Sequence, residues 1–356
     1  MTRTQSAVVA VVLVALWGLG GSVVAQQQAA PAPAAAPAPP PVHLPEWAYT
    51  PPNPPGAPPP PSSLPTDDTA VIRIPGVERT LTRGQLRGLK EIPDWRPEEH
   101  VGAPDVVRFN RPAADATYLV RACGFCHLAD GGGRPENASV NGLPVAYFLQ
   151  QMEDFKSGAR DSADPRKNNT NLMITYAKNA TPEELRAAAE YFAAKPYGKR
   201  IKVIESRTAP KVRLQGGMHM PVPAAEGGGM EPIGEQIVEV PDDHLRAEAR
   251  DTHMGYTAYV PVGSINRGKM LAATYQCTTC HGASLEGLGP VPPLAGRSPS
   301  YTTRQLYDMK LGARKGPWAE LMTPIVAKMS LTDMMNVSAY AASLNPPAAT
   351  TTRAAR

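Results

Sequence analysis

The pentapeptide Cys123-Gly124-Phe125-Cys126-His127 recurs 154 residues later as Cys277-Thr278-Thr279-Cys280-His281, and together the two stretches use all four cysteines of the chain. One chemistry needs every part of such a turn. Two thiols on one short turn form thioethers with the vinyl groups of a haem, and the adjacent imidazole then projects to the iron. Zinc sites and redox disulfides also use Cys-x-x-Cys, but neither requires the trailing histidine that both copies carry. The motifs therefore predict two covalently bound haem c groups, held by Cys123, Cys126, Cys277 and Cys280, with His127 and His281 as proximal iron ligands.

The recurrence extends well beyond the motifs. In the same register Gly142 falls on Gly296, Tyr147 on Tyr301, Gln151 on Gln305, Gly158 on Gly312 and Arg160 on Arg314. After a five-residue loss in the second copy, Met173 falls on Met322, Thr181 on Ser330 and Tyr191 on Tyr340. A chain that repeats itself at this length contains two copies of one small domain. Each copy reads as helical. Phe148, Met152 and Phe155 form a stripe ending near Gly158, with Thr302, Leu306 and Met309 as its weaker counterpart. Thr181-Pro-Glu-Glu is a capped helix start whose buried face is Leu185, Ala188, Ala189 and Phe192, and Ser330-Leu-Thr-Asp opens the matching helix.

Composition limits what surrounds the repeat. The chain has 356 residues, 40 of them proline, and aromatic residues make up 6%, too few for one large conventional core. Four cysteines are too sparse for a disulfide scaffold. Arg3, the apolar run Ala7 to Leu19 and the small residues near Ala25 read as a secretory signal over residues 1–25, which predicts the periplasm; left uncleaved, the segment would tether the protein to a membrane. Residues 26–65 contain 16 prolines and read as an extended linker.

With the haem motif on an N-terminal helix and a methionine in a loop before a capped C-terminal helix, each copy resembles a class I cytochrome c domain, over residues 103–200 and 262–346. The resemblance implies an all-α fold of two tandem cytochrome domains, each wrapped around a haem that replaces much of the missing aromatic core. It also implies methionine opposite each proximal histidine. Met173 and Met322 fit, since each follows a leucine and precedes its helix cap by eight residues. Residues 66–102 form an N-terminal extension, and residues 347–356 a tail.

Several features exceed a minimal carrier. Residues 201–261 form a long arm with alternating stretches at Ile201–Glu205, 212–214, 236–240 and 256–260, read as short strands. So long an arm leads one to expect haems held apart. His43, His100, His219, His244 and His253 are read as surface or core histidines rather than iron ligands. Pro292, Pro293 and Leu294 follow His281 where a backbone carbonyl would accept from its imidazole, with a plain loop as the alternative; the first copy has Ala138, Ser139 and Val140 instead. Arg160 and Arg314 are candidates to pair with haem propionates. The cluster from Lys195 to Arg213 reads as a charged strand edge, with docking of an acidic partner as the alternative. The formal charge of +4 shrinks once four propionates are added, and nucleic acid is no partner for an exported haem protein.

The expected function is single-electron transfer between a redox donor and acceptor, without catalytic residues. One alternative is a cytochrome subunit bound to a dehydrogenase or terminal oxidase, with residues 66–102 and 201–261 as interface. Another is a haem enzyme such as a peroxidase or sulfur-compound oxidant, which needs an iron with an open position.

Overall fold

In each copy the elements follow the repeat. The computed structural model describes residues 44–52, 56–57, 60–113 and 116–346; the expected signal segment and C-terminal tail lie outside these. In the first copy the attachment turn Cys123–His127 precedes helices Val145–Ser157, Asn168–Asn179 and Pro182–Ala193. The Val145–Ser157 helix ends at Gly158, whose φ of 78° closes the last turn. Phe148, Met152 and Phe155 on its inner face pack with Val107, Ala188, Ala189 and Phe192. Thr181 and Glu184 form the expected capping box of the Pro182–Ala193 helix.

The second copy repeats this plan with one substantial addition. A helix Ser264–Thr274 leads into the attachment turn Cys277–His281, followed by helices Pro299–Lys310 and Leu331–Ser343, the latter capped by Ser330 and Asp333. Gly268 lets the first of these cross the last, because a Cβ there would lie 2.0 Å from the Asn336 carbonyl oxygen. The corresponding helix of the first copy is only Asp105–Arg108.

The arm departs from an all-α description. Ile201–Glu205 pairs parallel with Tyr256–Val260, which pairs antiparallel with Val238–Pro241, giving a three-stranded mixed sheet at the places where the sequence alternates. A hairpin, Val212–Gln215 with Met218–Pro221, turns through Gly216 and Gly217, both at positive φ. Ile201, Tyr256, Ala258 and Val260 of the sheet share a core with Met335, Ala339 and Ala342 of the last helix. The arm is thus part of the fold rather than a loose link.

Two further segments join this body. Leu64 of the linker and Ile72, Ile74, Leu81, Leu86 and Trp95 of the extension form a small core with Ala249 of the arm, and the Trp95 indole donates to the Ala249 carbonyl at 2.8 Å. The expected linker is not extended throughout. Glu46–Tyr49 is a short helix whose Ala48 and Tyr49 are fully buried. Tyr49 donates to Asp308 at 2.7 Å, and Arg304 donates to the Ala48 carbonyl.

Candidate functional site

Each attachment turn places its thiols and imidazole together, and each imidazole is oriented from behind. His127 Nδ1 lies 2.7 Å from the Ala138 carbonyl oxygen, and His281 Nδ1 lies 2.9 Å from that of Pro292. Both acceptors stand eleven residues after their histidine, so the orienting carbonyl exists in both copies. Proline is not needed for it, because the acceptor belongs to the backbone; the side-chain difference at this position had concealed the equivalence. With Nδ1 donating, Nε2 is left as the ligating nitrogen. Burial holds the pKa of both imidazoles below the usual histidine value, which favours the neutral ligand form. None of the four cysteines is joined to another in a disulfide. Among the described residues no cluster of three or more His, Cys, Asp or Glu side chains is placed to hold a bare metal ion.

A cavity enclosing about 1500 Å³ of empty space, part of it open to solvent, lies at the first turn. Cys123, Cys126, His127 and Met173 all line it, together with the apolar stripe Phe148, Met152 and Phe155. Met173 stands within the Asn168–Asn179 helix rather than in a loop. In the second copy Met322 sits between the short helices Pro317–Glu320 and Thr323–Val326, and it and Cys277 pack against the same apolar core. The methionines keep their eight-residue spacing to the caps while the local backbone around them differs.

The first cavity also has a polar lining that comes partly from the second copy, through Tyr301, Arg304, Gln305 and Asp308. Arg111, Arg121, Arg160, Lys167 and Arg304 line the cavity against only three carboxylates, Glu136, Asp161 and Asp308. Lys167 is buried, and burial with the nearby Arg304 pushes its ammonium down to about 7. Two thiols, an oriented neutral imidazole, an apolar stripe and more cations than carboxylates in the lining fit a covalently attached haem with anionic propionates. The sequence reading missed Lys167 and Arg304; Arg304 takes the repeat position of Gln150, a departure that was its one available signal.

The two copies meet through a reciprocal contact. Arg160 Nη1 donates to Gln151 of its own copy at 3.0 Å, and Nη2 donates to Tyr301 and Gln305 of the other at 3.0 and 2.9 Å. Arg314 Nη1 donates to its own Gln305 at 3.2 Å, and Nη2 to Tyr147 and Gln151 at 2.7 and 2.8 Å. Backbone bonds from Asp161 to Ala313 and from Lys315 to Ala159, both 2.8 Å, complete a local two-fold arrangement. The haem-motif copies therefore face each other despite the long arm, which folds back as a sheet instead of spacing them. Both arginines are buried and commit their terminal nitrogens to this contact.

Other candidates fall outside the site. His100 pairs with Asp94 and His253 with Glu99, each at 2.8 Å, and His100, His219, His244 and His253 do not line the first cavity. His43 lies outside the described residues. The basic run is largely consumed internally: Arg200 pairs with Asp130, Arg213 with Glu226, and Lys195 and Lys199 donate to the carbonyls of Glu99 and Ser343.

No family model matches the chain. Cytochrome c4 of Azotobacter vinelandii is 27% identical over 223 residues, covering 61% of this chain and 82% of that protein. The thiosulfate dehydrogenase electron acceptor of Stutzerimonas stutzeri is 27% identical over 226 residues, covering 63% and 79%. Cytochrome c-554(548) of Halomonas halodenitrificans is 38% identical over 65 residues, covering 18% of this chain and 78% of that protein.

Proposed function

The chain belongs to the two-haem class I c-type cytochromes and transfers single electrons, and we propose the residues, location and partners through which it does so. Cys123 and Cys126 hold the first haem and Cys277 and Cys280 the second; His127 and His281 are the proximal ligands, Met173 and Met322 the distal ones. The observation that supports this best is the single cavity lined by two motif thiols, the motif imidazole and Met173. When bound, each haem supplies an iron that alternates between Fe(III) and Fe(II).

The protein's part is arrangement. The Ala138 and Pro292 carbonyls orient the two imidazoles. Phe148, Met152 and Phe155 exclude water from one wall, which disfavours the more highly charged oxidised state. Arg160 and Arg314 clamp the two copies face to face, so that electron exchange between sites needs no diffusional encounter. Methionine on both distal sides leaves no open iron position, which favours a carrier over a haem enzyme.

The proposed location is the periplasm, following the N-terminal signal pattern. No helix among the described residues is long and apolar enough to cross a membrane. The proposed partners are redox proteins, with a dehydrogenase on the donor side; the Stutzerimonas stutzeri relative is named as the electron acceptor of such an enzyme. The extension packs on the arm, and the arm's sheet packs on the second copy's last helix, which favours an independent carrier over a subunit that holds them ready as interface.

The test is the sulfur-to-iron charge-transfer absorption of the oxidised holoprotein. Two equivalents, one lost in Met173→His and the other in Met322→His, are expected. Fewer than two in the native protein, or high-spin iron, would overturn the ligand assignment.

A further inference from the structure

The two attachment turns have nearly the same sequence and opposite surroundings. In the second copy Thr278, Thr279 and Cys280 are all exposed. In the first, the extension and the arm lie over the equivalent Gly124, Phe125 and Cys126. A Cβ on Gly124 would meet Ile92 at 2.6 Å and the Val107 carbonyl oxygen at 2.7 Å, and one on Gly88 would meet the Phe125 ring at 2.6 Å. Ile92, Ala122, Ala129 and Phe125 form one small apolar cluster there.

The cap is also charged. Arg250 of the arm and Arg121 place their guanidinium carbons 4.0 and 4.1 Å from the Phe125 ring centroid. Arg250 Nη1 donates to the Phe125 carbonyl at 2.6 Å, while Arg121 donates to the carbonyls of Arg87 and Gly88. Among the described residues neither guanidinium has a carboxylate in ion-pair distance, and Glu136 on this side is held by Arg134 at 2.6 Å. Arg250 stands just after the helix His244–Glu248 with φ 60°, a left-handed position that favours glycine and costs another residue about 1 kcal/mol. The contacts to Phe125 offset that cost.

Oxidised iron carries one more positive charge than reduced iron, so an uncompensated cation behind a dry cap destabilises the oxidised form. We propose that Arg250 is a tuning residue of the first site: with Arg121 and the 87–92 segment it makes that site hold an electron in preference to the second, whose attachment face stays open to solvent. A single electron is redistributed between the sites, and no bond or proton is exchanged. The inference rests on haem attachment at both turns as proposed above.

Potentiometric titration of the holoprotein with native ligands tests it, a separate titration of Met322→His serving only to assign which midpoint belongs to the second site. Arg250→Gln is expected to lower the midpoint of the first site alone, shifting the electron-sharing equilibrium toward the second site by about tenfold. Arg250→Lys, which keeps the charge, is expected to restore most of the shift. No shift, an equal shift at both sites, or equal effects of Gln and Lys would overturn the proposal. Two equivalents of the sulfur-to-iron absorption in Arg250→Gln show that ligation stands independently of the outcome. Hydrogen exchange of the native holoprotein is a second readout: slower exchange at residues 124–126 than at 278–280 is expected, and equal rates would remove the cap.

Discussion

The first and second copies share a motif, a helix plan and a reciprocal contact, yet one attachment turn is roofed and the other is bare. Gly124 is buried under Ile92 and Val107, whereas Thr278 in the same repeat position faces solvent. Part of the difference lies within the repeat, where Val107 of the first copy closes over Gly124. The rest comes from outside it: Ile92 of the extension and Arg250 of the arm settle over the first copy's turn, while the arm's sheet settles against the second copy's last helix. Equivalent chemistry placed in unequal dielectric and charge surroundings need not have equal energetics.

Exchanging the residues at that position breaks the comparison most sharply. Gly124→Thr brings a branched side chain against a backbone carbonyl and is expected to cost 3 kcal/mol or more, enough to lower the thermal midpoint by several degrees, while Thr278→Gly costs about 1 kcal/mol or less. Equal losses in thermal unfolding would mean that the cap is not rigid. The reciprocal contact makes the opposite forecast. Arg160→Ala and Arg314→Ala each strand buried partners and are expected to cost about 2–4 kcal/mol, nearly the same for both. The double variant should cost more than the sum, because Gln151 and Gln305 each keep one arginine donor in either single variant and lose both in the double; an additive result in denaturant unfolding would deny the network.

Smaller effects sharpen the same comparison. Thr181→Ala and Ser330→Ala remove equivalent capping boxes, and each is expected to cost about 1 kcal/mol in unfolding. His219 belongs to the arm's hairpin, with no counterpart in the repeat. Burial, reinforced by the Lys167 charge, pushes its imidazole down to about 4. The folded state thus disfavours the charged form, so stability is lost as pH falls from about 6.5 toward 4 and is unaffected above. His219→Gln is expected to flatten that slope; an unchanged pH profile of unfolding would show that the hairpin opens to water.

Much of the fold was legible because its signals are local. A capping box is a contact over three residues, a helical stripe spans seven, and the strand alternation at Ile201–Glu205 and Tyr256–Val260 shows in single segments. The orienting carbonyl at Ala138 was not legible, since a backbone acceptor has no side-chain signature. The burial of Tyr49 was hidden for another reason: its neighbours Asp308 and Arg304 lie more than 250 residues away, and the surrounding prolines argue for an open chain.

By itself the sequence determined two haem-attachment turns, two helical copies with capped last helices, and a methionine at matching distance before each cap, because covalent attachment and helix caps depend on spacing along the chain. Only the tertiary structure decided that the copies face each other through Arg160 and Arg314, that cations outnumber carboxylates around the first cavity, and that Arg250 closes one turn and leaves the other open. Those outcomes depend on which distant segments share a volume. Burial and uncompensated charge are properties of that volume, not of any stretch of chain.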